Sequence, residues 1–150
     1  MMTSYTAPQR DMLFVLNHLA GLEAVSQLPG LEDATPDMAA AILDEAAKFA
    51  AGVLAPINAS GDLQGCRWDN GVVTPADGFA DAYASFCETG WNAMPAQPEF
   101  GGQGLPSLVS SAVQEMWKSA NMAFALCPML TLGAVNAIAE HASDELKAVY

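Results

Sequence analysis

Three glycines in four positions, Gly101, Gly102 and Gly104, sit inside PEFGGQGLP at residues 98–106. Bare backbone amides in such a cluster can cradle a phosphate, or the glycines can serve a sharp turn that other residues cannot make. A dinucleotide fingerprint needs GxGxxG straight after a parallel strand and opening a helix. Only Gly102 and Gly104 supply its first half. Ser107 stands where the third glycine belongs, MPAQPEF precedes in place of a strand, and the nearest lysine, Lys118, is too far on for a P-loop. The spacing therefore predicts a turn that swings the chain from Trp91 into a helix after Pro106.

Other reactive side chains are sparse. His18 and His141 are far apart, and neither stands in HExxH or ExxH, the spacings that put two ligands on one helix face. Glu140 directly precedes His141, and adjacent helix residues point about 100° apart, so no metal site is expected. Cys66, Cys87 and Cys127 form no CxxC pair, which leaves neither a disulfide framework nor a zinc site and predicts buried or idle thiols. With no GxSxG elbow and no cysteine near a histidine, nucleophilic catalysis has no local signal. The carboxylates are scattered on polar helix faces, where they serve solubility.

Seventeen Asp and Glu oppose five Lys and Arg, a formal charge of −12, so a phosphate backbone or an anionic membrane surface would be repelled. Nucleic acid is excluded as an expected partner. A chain of 150 residues, 52% hydrophobic and 15% charged, suits one globular domain. The N-terminus lacks the basic start and apolar run of a secretory signal, and no uninterrupted apolar run approaches a membrane span, so a cytoplasmic protein without a span is expected.

The elements that carry these residues read as helices. Met12, Val15, Leu16 and Leu19 form one stripe ending at Gly21, and residues 22–34 read as a connector with room for one helical turn. Thr35 as N-cap, Pro36 in the first turn and Asp37 at the positive end of the dipole open a long helix that Pro56 is expected to stop. In GCRWDNGVVTP, Asn70 and Gly71 suit the positive φ angles of a tight hairpin turn. A helix from Phe79 closes at Gly90, and Leu108, Val109, Ala112, Val113, Met116 and Trp117 define another. A further helix runs from about Asn121 to His141 and is expected to bend or restart at Pro128. Ser143 caps a last one, whose apolar Leu146, Val149 and Tyr150 have no partner to follow, so the chain is expected to be the front part of something longer. The fold predicted is all-α, an up-and-down helical bundle with a small β-hairpin near residues 66–74. Residues 122–139, MAFALCPMLTLGAVNAIA, are either core or the wall of an apolar ligand pocket, and composition does not separate the two.

GWNAMPAQPEFGGQGLP, followed by QEMWKSANMAFALCPMLTLGAVNAIAEHASDELKAVY, resembles the N-terminal helical domain of the flavin-dependent acyl-CoA dehydrogenases. The family shows a GW pair, a P-E-aromatic-G-G-x-G turn, two long helices and a G/S-x-E-x-x-K segment leading into a flavin domain. TPDMAAAILDEAAKFAAGVLAPIN and the NGVVTP hairpin resemble the long subgroup that includes methylthiopropionyl-CoA dehydrogenase-like enzymes. The resemblance implies residues 1–34 as an N-terminal extension with a short helix and 35–150 as the family's N-terminal domain, ending before a flavin-binding β-domain. It implies FAD as cofactor of the complete enzyme, an acyl-CoA substrate and electron-transfer flavoprotein as partner, and it leaves room for a homo-oligomer. In that family a carboxylate takes the α-proton of the thioester while the β-hydrogen leaves as hydride to flavin N5, and both the carboxylate and most flavin contacts come from later domains. No catalytic, cofactor-binding or metal-binding residue is therefore assigned here, and the 150 residues alone are expected to be inactive and to bind neither FAD nor coenzyme A. The helix matching Phe124 to Leu132 lines the acyl pocket in such enzymes, which nominates Phe124, Pro128, Met129 and Leu132. A rival expectation is a stand-alone, non-catalytic helical module for interaction or oligomerisation.

Overall fold

The computed structural model describes residues 4–150. Helix α1 (Gln9–His18) follows Pro8, and a single turn, α2 (Leu22–Val25), interrupts the connector after Gly21. Of the expected α1 stripe only Met12 and Leu16 are buried, while Val15 and Leu19 are exposed. Met12 and Leu16 seat α1 against α3 (Pro36–Phe49) and α6 (Ser107–Ala120), with Leu13 half-buried beside them. As its cap chemistry predicts, α3 begins where Thr35 Oγ1 accepts the Met38 N–H at 3.2 Å with Pro36 in the first turn.

Pro56 does not stop this run. The helix widens into a π-helical segment, Ala50–Leu54, and continues as α4 (Ala55–Gln64), with the Ala55 N–H bonded to the Ala50 carbonyl five residues back. Pro56 thus sits in the first turn of a new segment, and the wider register relieves the ring's clash with the carbonyl four residues earlier. The hairpin forms as expected. β1 (Arg67–Asp69) pairs antiparallel with β2 (Val72–Thr74), Trp68 opposite Val73, through Asn70 at φ 48° and Gly71 at φ 84°.

Helix α5 (Phe79–Glu88) leads through Gly90 into two 3₁₀ turns, Trp91–Ala93 and Pro98–Phe100, which precede Gly101, Gly102 and Gly104. The centre of the bundle is α6, which touches α1, α3, the π segment and α7 (Met122–His141). Val109, Val113, Met116 and Trp117 carry its buried face. α7 neither breaks nor restarts at Pro128 but runs unbroken to His141. An interior proline costs about 3 kcal/mol, and the other hydrogen bonds of a 20-residue helix together with its packing on α6 offset that cost. α8 (Asp144–Val149) starts at Ser143 without a side-chain bond to a helix amide. The architecture is all-α with one small hairpin, as the patterning predicts.

Candidate functional site: the cleft under α7

The glycine loop is closed from within. Five consecutive amides are spent on nearby carbonyls: Gly101 on Pro98, Gly102 on Gln97, Gln103 on Ala93, Gly104 on Ala96 and Leu105 on Met94, at 2.9–3.1 Å. None remains to cradle a phosphate. Gly101 and Gly104 take φ 82° and 65°, whereas Gly102 is needed for space, because a Cβ there would land on the Ala96 carbonyl. Gln103 Nε2 donates to the Gly90 carbonyl at 3.0 Å, so the loop is stapled to the turn that carries Trp91. The loop's output is the position of Trp91 and of Met94, which is 1% exposed.

Those two side chains meet α6 and α7. Trp91 packs edge-on against Trp117 with ring centroids 5.5 Å apart, and Trp117 also meets Phe86 edge-on at 5.1 Å. Pro128, Met129 and Leu132 of α7 face this aromatic group across a cleft that Met94 and Ala125 also line, with a cavity volume of about 30 Å³. That is room for a water molecule or two. Asn92, Gln114 and Lys118 give the cleft polar neighbours, with Lys118 Nζ 3.4 Å from Gln114 Oε1.

Phe124, nominated with those three, lies elsewhere. It is 4% exposed, packs edge-on against Phe86 at 5.6 Å, and lines a second groove with Phe79, Tyr83 and Cys127. At about 100° per residue, Phe124 is roughly 80° round the helix from Leu132, while Ala125 is within about 20° of it. A helical wheel of α7 alone carries that signal. Burial, and next the Cys87 thiol one turn on, push the Tyr83 phenol above its ordinary pKa. Cys66 and Cys127 are exposed and Cys87 is half-buried, and all three are free, so of the expected buried or idle thiols the first two are not buried.

Asn121, between α6 and α7, is a residue that sequence reasoning treats as a mere helix start. It is 1% exposed. Its Oδ1 accepts the Phe124 N–H at 3.1 Å, and its Nδ2 donates to the Leu54 carbonyl at 3.2 Å. One amide therefore caps α7 and ties it to the end of the π segment, which sets the height of the whole cleft wall.

Beyond its first turn α7 is largely uncovered. Met122, Leu126 and Leu130, spaced by four, are exposed, and Leu130 reaches 70%. The helix is long and apolar enough to cross a membrane by length and composition alone, a test that a helix covered by another domain also passes. Among the described residues no group of three or more His, Cys, Asp or Glu side chains could hold a metal.

A family model described as "Acyl-CoA dehydrogenase, N-terminal domain" matches residues 36–150. The chain is 39% identical over 147 residues, 98% of its length, to the 3-methylmercaptopropionyl-CoA dehydrogenase of Ruegeria pomeroyi. It is 29% identical over 154 residues, 96% of its length, to the butyryl-CoA dehydrogenase of Syntrophomonas wolfei. It spans only 25% and 24% of those two proteins.

Proposed function

The chain belongs to the acyl-CoA dehydrogenase family, by way of its N-terminal domain, and from that premise we propose that it serves an FAD-dependent desaturation of an acyl-CoA thioester, supplying one wall of the acyl pocket and a surface for the remaining domains. The observation that carries this reading is the cleft in which Pro128, Met129 and Leu132 of a largely uncovered apolar helix face Trp91 and Trp117. A cavity of about 30 Å³ holds no acyl chain. It is a wall to be completed by another surface; the exposed stripe of Met122, Leu126 and Leu130, with Leu130 about 160° round α7 from Pro128 and Leu132, is a separate face on which a further domain would pack. Within the completed pocket the wall's work is to orient the acyl chain and exclude water.

FAD does not fit the residues present. The glycine loop has no free amide to offer a pyrophosphate, and five Lys and Arg against seventeen acidic groups give no basic cluster for one. In this reading the flavin and the catalytic carboxylate are held by further domains of a cytosolic enzyme, and electron-transfer flavoprotein, a separate partner, reoxidises the flavin. In this reading residues 1–34 are an extension and 35–150 the domain proper, although Met12 and Leu16 join the same core.

Leu132→Trp in the full-length enzyme tests the wall. Filling the cleft should shorten the preferred acyl chain, with kcat/KM falling about tenfold or more at the first length that no longer fits and little change in melting temperature. A uniform loss on all lengths with lowered stability would return Pro128, Met129 and Leu132 to ordinary packing. The exposed face of α7 equally suits a stand-alone dimerising module, and a well-behaved dimer of the 150 residues without flavin chemistry in any longer form would favour it.

A further inference from the structure

The hairpin stands out from the bundle. Every residue from Asp62 to Pro75 is exposed, Trp68, Val72 and Val73 among them, so both faces of the ribbon are open to solvent. A two-stranded ribbon in water is marginally stable at best, and three or more strands are needed for independent stability. This one is nevertheless held at its base. Gln64 Nε2 donates to Asp77 Oδ2 at 3.1 Å while the Asp77 N–H donates to Gln64 Oε1 at 2.8 Å, which joins the two ends of the excursion. An arm fixed in this way loses little freedom on meeting a partner.

The free edge of β1 is complementary to itself. Asn70 and Gly71 form a two-residue turn, so Asp69 and Val72 beside it exchange backbone bonds, Arg67 and Thr74 do the same, and Trp68 and Val73 do not. The Trp68 N–H and C=O therefore point away from β2, and neither has a backbone partner elsewhere among the described residues. Two β1 strands laid antiparallel about a two-fold axis at Trp68 would exchange both bonds between these groups. Arg67 of each copy then stands opposite Asp69 of the other. Opposite charges facing each other across strands stabilise a sheet, and like charges destabilise it. Because successive side chains alternate, Trp68 and Val73 of both copies line up on the other face as one apolar row. β2 has Val72 and Thr74 in the matching positions and offers no such pairing of charge.

We propose that β1 is a self-association edge, through which two copies of the chain join into a four-stranded sheet in the order β2, β1, β1, β2, with Arg67, Trp68 and Asp69 as the contact. A formal charge of −12 sets two copies against each other in general, and a locally neutral edge is where they can meet. The inference is independent of the pocket reading, since the hairpin and the cleft share no residue.

The test follows the mass of the full-length protein by sedimentation velocity across a range of concentrations. Arg67→Asp and Asp69→Arg each put like charges opposite one another twice across the two-fold, and each should raise the concentration at which the mass doubles by about tenfold or more. The double variant, Arg67→Asp with Asp69→Arg, restores both opposite pairs and should return that concentration to the wild-type value. These positions are exposed, so the substitutions leave the core untouched. A wild-type mass that never doubles, or single variants that match wild type, overturns the proposal. So does a double variant that stays with the single ones, which would mean that the hairpin seats on a different surface, in another domain of the same chain or in another protein.

Discussion

Gly102→Ala should destabilise the protein by about 2–4 kcal/mol, more than Gly101→Ala, although Gly101 alone of the two has a positive φ. Alanine at Gly101 meets open space and carries only the left-handed strain of about 1–2 kcal/mol. At Gly102 the added methyl collides with the backbone carbonyl of Ala96, which no side-chain rotation relieves. Overpacking of this kind costs about 1–3 kcal/mol, and displacing Ala96 also breaks the Gly104 N–H bond to its carbonyl, roughly another 1 kcal/mol. For a chain of this size 3 kcal/mol is about 6–12 °C in melting temperature. Denaturation of the two variants side by side checks the order. If Gly101→Ala were the worse, the loop would be held by its dihedral angles and not by the approach of one strand of backbone to another.

Asn121→Ala should cost about 2–4 kcal/mol, summing the lost cap, which leaves the Phe124 N–H unpaired, at about 1 kcal/mol and a buried Leu54 carbonyl without its donor at about 1–3 kcal/mol. Asn121→Asp separates the two halves of this role. It keeps the acceptor for Phe124 and loses the donor to Leu54. The α7 dipole favours a carboxylate by about 0.3–1 kcal/mol, less than the several kcal/mol of burying a charge beside a carbonyl. Burial then raises the folded-state pKa of the introduced carboxyl group above its unfolded value, because the protonated form can donate to Leu54. Its protonated, better-paired state is fully present below the unfolded pKa and is lost as pH rises through the folded one. The deficit of Asn121→Asp relative to wild type should therefore shrink toward acid pH, measured by denaturation at several pH values. A deficit independent of pH would show that the Leu54 contact contributes little.

What the sequence disclosed follows from how local each cause is. Thr35 and Pro36 announce α3 because capping involves four neighbouring residues, and Asn70 and Gly71 announce the hairpin because positive φ belongs to few residue types. Pro56 and the expected restart at Pro128 mislead for the opposite reason. A π turn keeps the chain helical past the first, and the remaining hydrogen bonds of a 20-residue helix carry α7 through the second. In the cleft, α7's contribution is legible as an apolar run, but its partners Trp91 and Met94 arrive through a loop whose closure depends on carbonyls no periodicity reveals. Sequence proximity groups Phe124 with its neighbours, and helix geometry turns it toward α5.

Whether these residues wall the acyl pocket of a flavin enzyme whose chemistry is held elsewhere can be read from one visible absorbance spectrum, recorded anaerobically before and after adding acyl-CoA. Full-length protein should carry flavin absorbance that bleaches as the substrate is oxidised, while residues 1–150 alone should show none. Stoichiometric flavin on the 150 residues, or a full-length protein whose spectrum no acyl-CoA of any length changes, would overturn that reading.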